Sequence, residues 1–343
     1  MSIDCSFAVS LIVLNLFHFA ITAVMPIYNK EFFKIAPYPI FVTLLQIIVS
    51  IPIAFVIAWI KNGFGKDFRW LIPPKHSLGH LIYSSFSYGF MLAIGNLGLF
   101  MSNIDYAVLI RLSGLVWQGF LAFIFLGEKL SCFNFCSVVL VMIGIIIMTT
   151  NFNKSSSHAP SFLQFGLQML TIMFTSLSSI SLKKLMNDSS NTETKCDLLT
   201  IHFWRFLIAS IPMAVLGLVL EPAAWINAPV ILSKQCMVYT CIGVVLSQTF
   251  QFIGLKLQTM TTVMTLAVIS QLKFLPTLVL SHYLYNETPW SNIQLIGALL
   301  LCTGAVSYSL SRVFGGDNGK KNENEQKTHL LDMDQPEEEE IDM

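Results

Sequence analysis

Residues 261–285 read TTVMTLAVISQLKFLPTLVLSHYLY, Thr261 to Tyr285, an apolar run long enough to cross a bilayer and carrying one formal charge, Lys273. About a dozen residues at 1.5 Å of rise each separate Lys273 from either end of the run. That places it about 18 Å from each interface, beyond the reach of a snorkelling ammonium. A lysine at the middle of a span costs about 3 kcal/mol on insertion scales, and such residues face internal cavities that carry substrate or ions. The run predicts a membrane helix with a functional cation inside it.

Composition extends that reading to the whole chain. Its 343 residues are 54% hydrophobic and 12% charged, with a mean hydropathy of +0.67. A soluble domain carries about twice that charge fraction. The expected fold class is an all-α polytopic membrane protein whose first partner is the lipid bilayer. The formal net charge is zero, which points to no nucleic-acid partner. The seven cysteines show neither CxxC nor Cys/His ligand spacing and read as small apolar packing residues. No Walker, HExxH or GxSxG motif is present, so the sequence implies no cofactor, no metal and no enzyme or ATP-driven pump.

Windows of about 20 apolar residues give ten candidate spans, 6–27, 38–60, 78–101, 105–126, 133–151, 162–185, 198–220, 234–257, 261–284 and 291–312. The polar joint at 152–161 divides them into repeats of five helices each, 1–151 and 162–312. An odd number of spans per half forces the two into inverted orientation, as in many secondary transporters. Each half places a glutamate, Glu128 or Glu287, after its fourth span, and a glycine, Gly144 or Gly304, about 16 residues later. Thirteen loop or terminal Lys/Arg residues fall on the side of the termini against four on the other, which predicts that both termini are cytoplasmic. Residues 313–343 are charged and almost free of aromatics, the composition of a disordered acidic cytoplasmic tail. Leu330-Leu331 within it resembles a sorting dileucine, although Gln326 stands where an acid is usual.

Candidate site residues are cations and their polar neighbours. Arg111 precedes Glu128 by nearly the interval at which Lys273 precedes Glu287, which puts the two on similar faces of matched helices. Lys30 ends the first span, and Lys183-Lys184 ends the sixth, its counterpart. Gln271 neighbours Lys273, and Tyr88 is a polar residue deep in the third span. His202 and Arg205 lie near the end of the seventh span beside Trp204, and read as interface anchors. No Asp or Glu lies deep in any span, so cavity cations imply a small-molecule anion such as a phosphate ester.

In order along the chain, YNKEFFKIAPYPIFVTLLQ, GNLGLF, LGEKLS, SLKKLM and the ninth-span LKF resemble the drug/metabolite transporter superfamily. Within it they resemble the branch of nucleotide-sugar transporters and triose-phosphate translocators. The resemblance covers about 1–312. It implies antiport, either a nucleotide-sugar entering the Golgi or endoplasmic reticulum for a nucleoside monophosphate, or a sugar phosphate exchanged for phosphate. It also implies phosphate-binding roles for Lys30, Lys184 and Lys273. Translocators follow the ninth-span lysine with arginine, whereas this chain has Phe274, closer to some nucleotide-sugar transporters; the GALNK-type motif of GDP-mannose carriers is absent. A scaffold or receptor that moves nothing would tolerate a neutral residue at 273. Base, sugar, compartment and oligomeric state, monomer or homodimer, stay open at this level.

Overall fold

The computed structural model describes residues 5–314 apart from 63–71, 74, 103, 113, 128–130, 156–161, 192–196, 228–232 and 286–291; between 262 and 273 it describes 263, 266 and 268. Lys273, Gln271, Glu128, Glu287 and Leu330-Leu331 lie outside the described residues. So do the 152–161 joint beyond Ser155 and the tail beyond Phe314.

The described residues form helices and no strand. In chain order they are α1 (Cys5–Ile35), α2 (Pro39–Asn62), α3 (Lys75–Met101), α4 (Ile104–Leu112), α5 (Gly114–Leu126) and α6 (Cys132–Ser155). There follow α7 (Phe162–Asn191), α8 (Leu198–Leu220), α9 (Pro222–Ile226), α10 (Lys234–Met260), α11 (Phe274–Tyr285) and α12 (Asn292–Phe314). Every predicted span receives a helix. The fourth is described in two parts, α4 and α5, and short α9 follows α8.

Side chains are distributed as a lipid solvent requires. Large apolar residues face outward, with Leu16 60%, Phe123 62% and Leu299 67% exposed, while Gln168, Gln46 and His202 are buried. Five of the described helices are long and apolar enough to cross a membrane: Leu11–Ile35, Pro39–Lys61, Phe162–Met186, Leu198–Leu220 and Lys234–Met260. In hydrocarbon the backbone satisfies itself within each helix, and buried polar side chains bond across helices. Asn96 is an example: it donates to Thr43 Oγ1 at 2.8 Å and accepts from Asn29 Nδ2 at 3.3 Å.

The close helix approaches are made at glycines. Helices α6 and α12 pack along their lengths. A Cβ on Gly144 would lie 2.6 Å from the Gly297 carbonyl, and one on Gly304 would lie 2.8 Å from the Ser137 carbonyl. The two glycines singled out in the sequence therefore let each helix rest on the other's backbone. Helix α3 packs against α7 and α8, and α1 against α10 and α11. Gly89 of α3 faces the Ala209 carbonyl and the Pro212 ring of α8, with no room for a Cβ.

Helices α2 and α8 also pack together, and each carries the same short phrase, Ser50-Ile51-Pro52-x-Ala54 and Ser210-Ile211-Pro212-x-Ala214. They are tied at both ends. Glu221, which ends α8, accepts from the Ile40 and Phe41 amides at 3.1 and 2.9 Å and so caps the start of α2. At the opposite end Lys61 Nζ lies 2.7 Å from Asp197 Oδ1.

Candidate functional site

A cavity of about 210 Å³ lies among the helices, lined by residues of α1, α2, α3, α4, α5, α7 and α10. Its polar wall holds Thr22, Asn29, Gln46, Asn96, Gln118 and Thr175, and its apolar wall Met25, Ile47, Met91 and Phe250. Two of the predicted site residues, Arg111 and Tyr88, line it.

Arg111 is held from two sides. Its Nε donates to Gln168 Oε1 at 2.9 Å and its Nη2 to the Gly95 carbonyl at 3.0 Å. Both acceptors are neutral, and the ion pairs among the described residues, Lys34 with Glu31 and Lys61 with Asp197, lie elsewhere. A Cβ at Gly95 would crowd this seat, lying 3.0 Å from Thr171 Cγ2 and 3.4 Å from Arg111 Nη2. An arginine fixed by two neutral acceptors keeps its full charge for a ligand and spends none of it on a carboxylate.

Tyr88 stands on a second arginine. The Arg205 guanidinium lies 4.3 Å from the centre of its ring, and Gln251 Nε2 donates to its hydroxyl. Arg205 Nη2 donates to Ser178 Oγ at 2.8 Å. His202, one turn back on α8, meets Gln248 Oε1, and Gln248 donates to the Ser50 carbonyl at 2.7 Å. The expectation that His202 and Arg205 anchor an interface is thereby corrected. Both are buried, because α8 turns that face toward α3, α7 and α10.

Lys30 and Lys184 do not line the cavity. Lys30 Nζ donates to the Ser102 carbonyl at 2.9 Å, where α3 ends. Lys184 sits with its ammonium 5.5 Å from the centre of the Phe125 ring. It is Lys183 that reproduces the Lys30 arrangement, donating to the Gln258 and Thr261 carbonyls at 2.9 and 2.8 Å, where α10 ends. The interval from Lys30 to Lys183 is also the interval from Thr22 to Thr175, and both threonines line the cavity.

A family model described as the Triose-phosphate Transporter family matches residues 9–309. The chain belongs to that family. The Triose-phosphate Transporter family is one of membrane transporters within the drug/metabolite transporter superfamily, so this member is a multi-pass membrane protein whose partners are the bilayer and a small-molecule substrate. A solved structure described only as "Crystal structure of protein" has the same fold as this Triose-phosphate Transporter family chain. It aligns with TM-score 0.62 at 12% identity, over 88% of this chain and 96% of that one. A search of curated proteins finds no match.

Proposed function

We propose that this family member is a secondary transporter that exchanges a phosphorylated organic anion, a nucleotide-sugar for a nucleoside monophosphate, across the Golgi or endoplasmic reticulum membrane. The observation that carries the reading is Arg111, seated in the central cavity on neutral acceptors. A substrate phosphate would supply the missing negative charge, and a charge-assisted pair formed only with ligand rewards occupancy. Lys273, matched to Arg111 in the sequence, is assigned to the same cavity, with Gln271 beside it. Lys30 and Lys184 are assigned to its two mouths, and both termini to the cytoplasm.

Alternating access between two inverted five-helix repeats is supported by how the contacts pair up. Exchanging the first five spans for the last five turns α3 against α7 into α10 against α1, α3 against α8 into α10 against α2, and α5 against α7 into α11 against α1. Each member of every pair occurs. Lys30 and Lys183 each fasten the end of one span to another of the same half, which suits two rigid units rocking about a central site.

The family's description favours a second reading, exchange of a sugar phosphate for inorganic phosphate. Proteoliposomes preloaded with a nucleoside monophosphate or with phosphate, then offered labelled nucleotide-sugars and sugar phosphates, separate the two. Uptake of nucleotide-sugar only into vesicles holding the monophosphate is the expected result. Uptake of neither substrate under any preload would overturn transport of phosphorylated anions.

A further inference from the structure

Arg205 is a second buried cation, stacked behind the cavity wall. It is 8% exposed, donates from Nη2 to the neutral Ser178 hydroxyl at 2.8 Å, and leaves its buried Nε without a partner. The ion pairs among the described residues do not include it. An arginine buried without a carboxylate is expensive, and the Tyr88 ring beneath its guanidinium offsets only part of that cost.

Tyr88 connects Arg205 to the cavity, because the same ring that covers the guanidinium lines the cavity wall. Its hydroxyl oxygen accepts from Gln251, which leaves the phenolic O–H able to donate to a further acceptor. A cation stacked on the ring draws electron density from it and strengthens the O–H as a donor. Tyr88 and Gly95, whose carbonyl holds Arg111, are seven residues apart on α3. They therefore share one side of the helix at levels about 10 Å apart.

We infer that Tyr88, backed by Arg205, forms a second anion subsite in the same cavity, one sugar-sized step along α3 from Arg111. The substrate is then a phosphate ester carrying a second anionic group, a phosphate or a carboxylate, across a sugar ring from the first. This rests on the sugar-phosphate form of the transport reading and narrows its substrate class.

The test is ligand-dependent thermal stabilisation of the full-length protein in lipid nanodiscs, using a hexose monophosphate and the matching hexose bisphosphate. The wild type is expected to bind the bisphosphate at least about tenfold more tightly, the size of one hydrogen bond to a charged group. Tyr88→Phe removes only the hydroxyl and keeps the ring over Arg205, and it should bring the ratio of the two affinities close to one. Arg205→Gln should do the same, and Arg205→Lys, which keeps charge but loses the planar stack, should fall between. If Arg205→Gln fails to fold, Tyr88→Phe decides alone. A wild type that binds the monophosphate without preferring the bisphosphate overturns the second subsite and leaves the transport reading standing. A preference untouched by Tyr88→Phe also overturns it. Stabilisation by neither ester overturns the second subsite and the sugar-phosphate form of the reading, and leaves nucleotide-sugar exchange to the counterflow assay.

Discussion

Arg111 and Arg205 show what a single residue discloses before its neighbours are known. The first was legible because its distance to Glu128 nearly repeats that of Lys273 to Glu287. The second was misread, since it lies near a span end with a tryptophan beside it, which is also the pattern of an interface anchor. What reversed the reading was the facing of α8, decided by packing between helices distant in sequence. At Arg111 the fork geometry makes a firm demand: Nε and Nη2 hold Gln168 and Gly95, leaving Nη1 for substrate. Arg111→Lys keeps the charge but cannot span both acceptors and a ligand. Its apparent substrate affinity in counterflow should fall by about tenfold or more, with the folded yield retained.

At the level of elements, the number and order of spans were readable from hydropathy, because twenty apolar residues have few other fates. How the helices are joined was not. Glu221 caps a helix that begins far from it in sequence, and nothing local to either segment announces the pairing. Glu221→Ala leaves two α2 amides without acceptors, and the thermal midpoint should drop in line with a loss of about 1–3 kcal/mol. Burial pushes the Glu221 carboxyl above the ordinary glutamate range, with the Phe41 and Ile40 amides opposing the shift. A pKa raised on folding stabilises the protein fully below the unfolded value and less as pH rises through the folded one. The wild-type midpoint should therefore fall relative to that of Glu221→Gln as pH is raised from the acidic side, and parallel curves would contradict the assignment. On α6, a Cβ at Gly144 would press on the Gly297 carbonyl. Gly144→Val should cost about 1–3 kcal/mol through overpacking, measured as a lower melting temperature in detergent.

For the whole molecule, α2 and α8 are clasped unequally. The Glu221 cap is buried, whereas Lys61 and Asp197 are 56% and 29% exposed. An exposed pair contributes about 0–1 kcal/mol, so the end held by Lys61 and Asp197 should part first. In Lys61→Ala, thiol labelling of a cysteine introduced at Asn62 should rise, while that of one introduced at Ile40, beside Glu221, stays low. The lysine pair Lys183-Lys184 was visible in the sequence, but the division of labour within it was not. Lys183 ties α7 to the end of α10 and Lys184 lies over Phe125. The decisive assignment at this scale is Arg111 as the anion ligand of a cavity shared by helices from both ends of the chain. It is tested most directly by counterflow in proteoliposomes preloaded with nucleoside monophosphate, comparing wild type with Arg111→Gln at equal reconstituted amounts. Loss of labelled nucleotide-sugar uptake in Arg111→Gln, with an unchanged melting temperature, is predicted. Uptake equal to the wild type would contradict it.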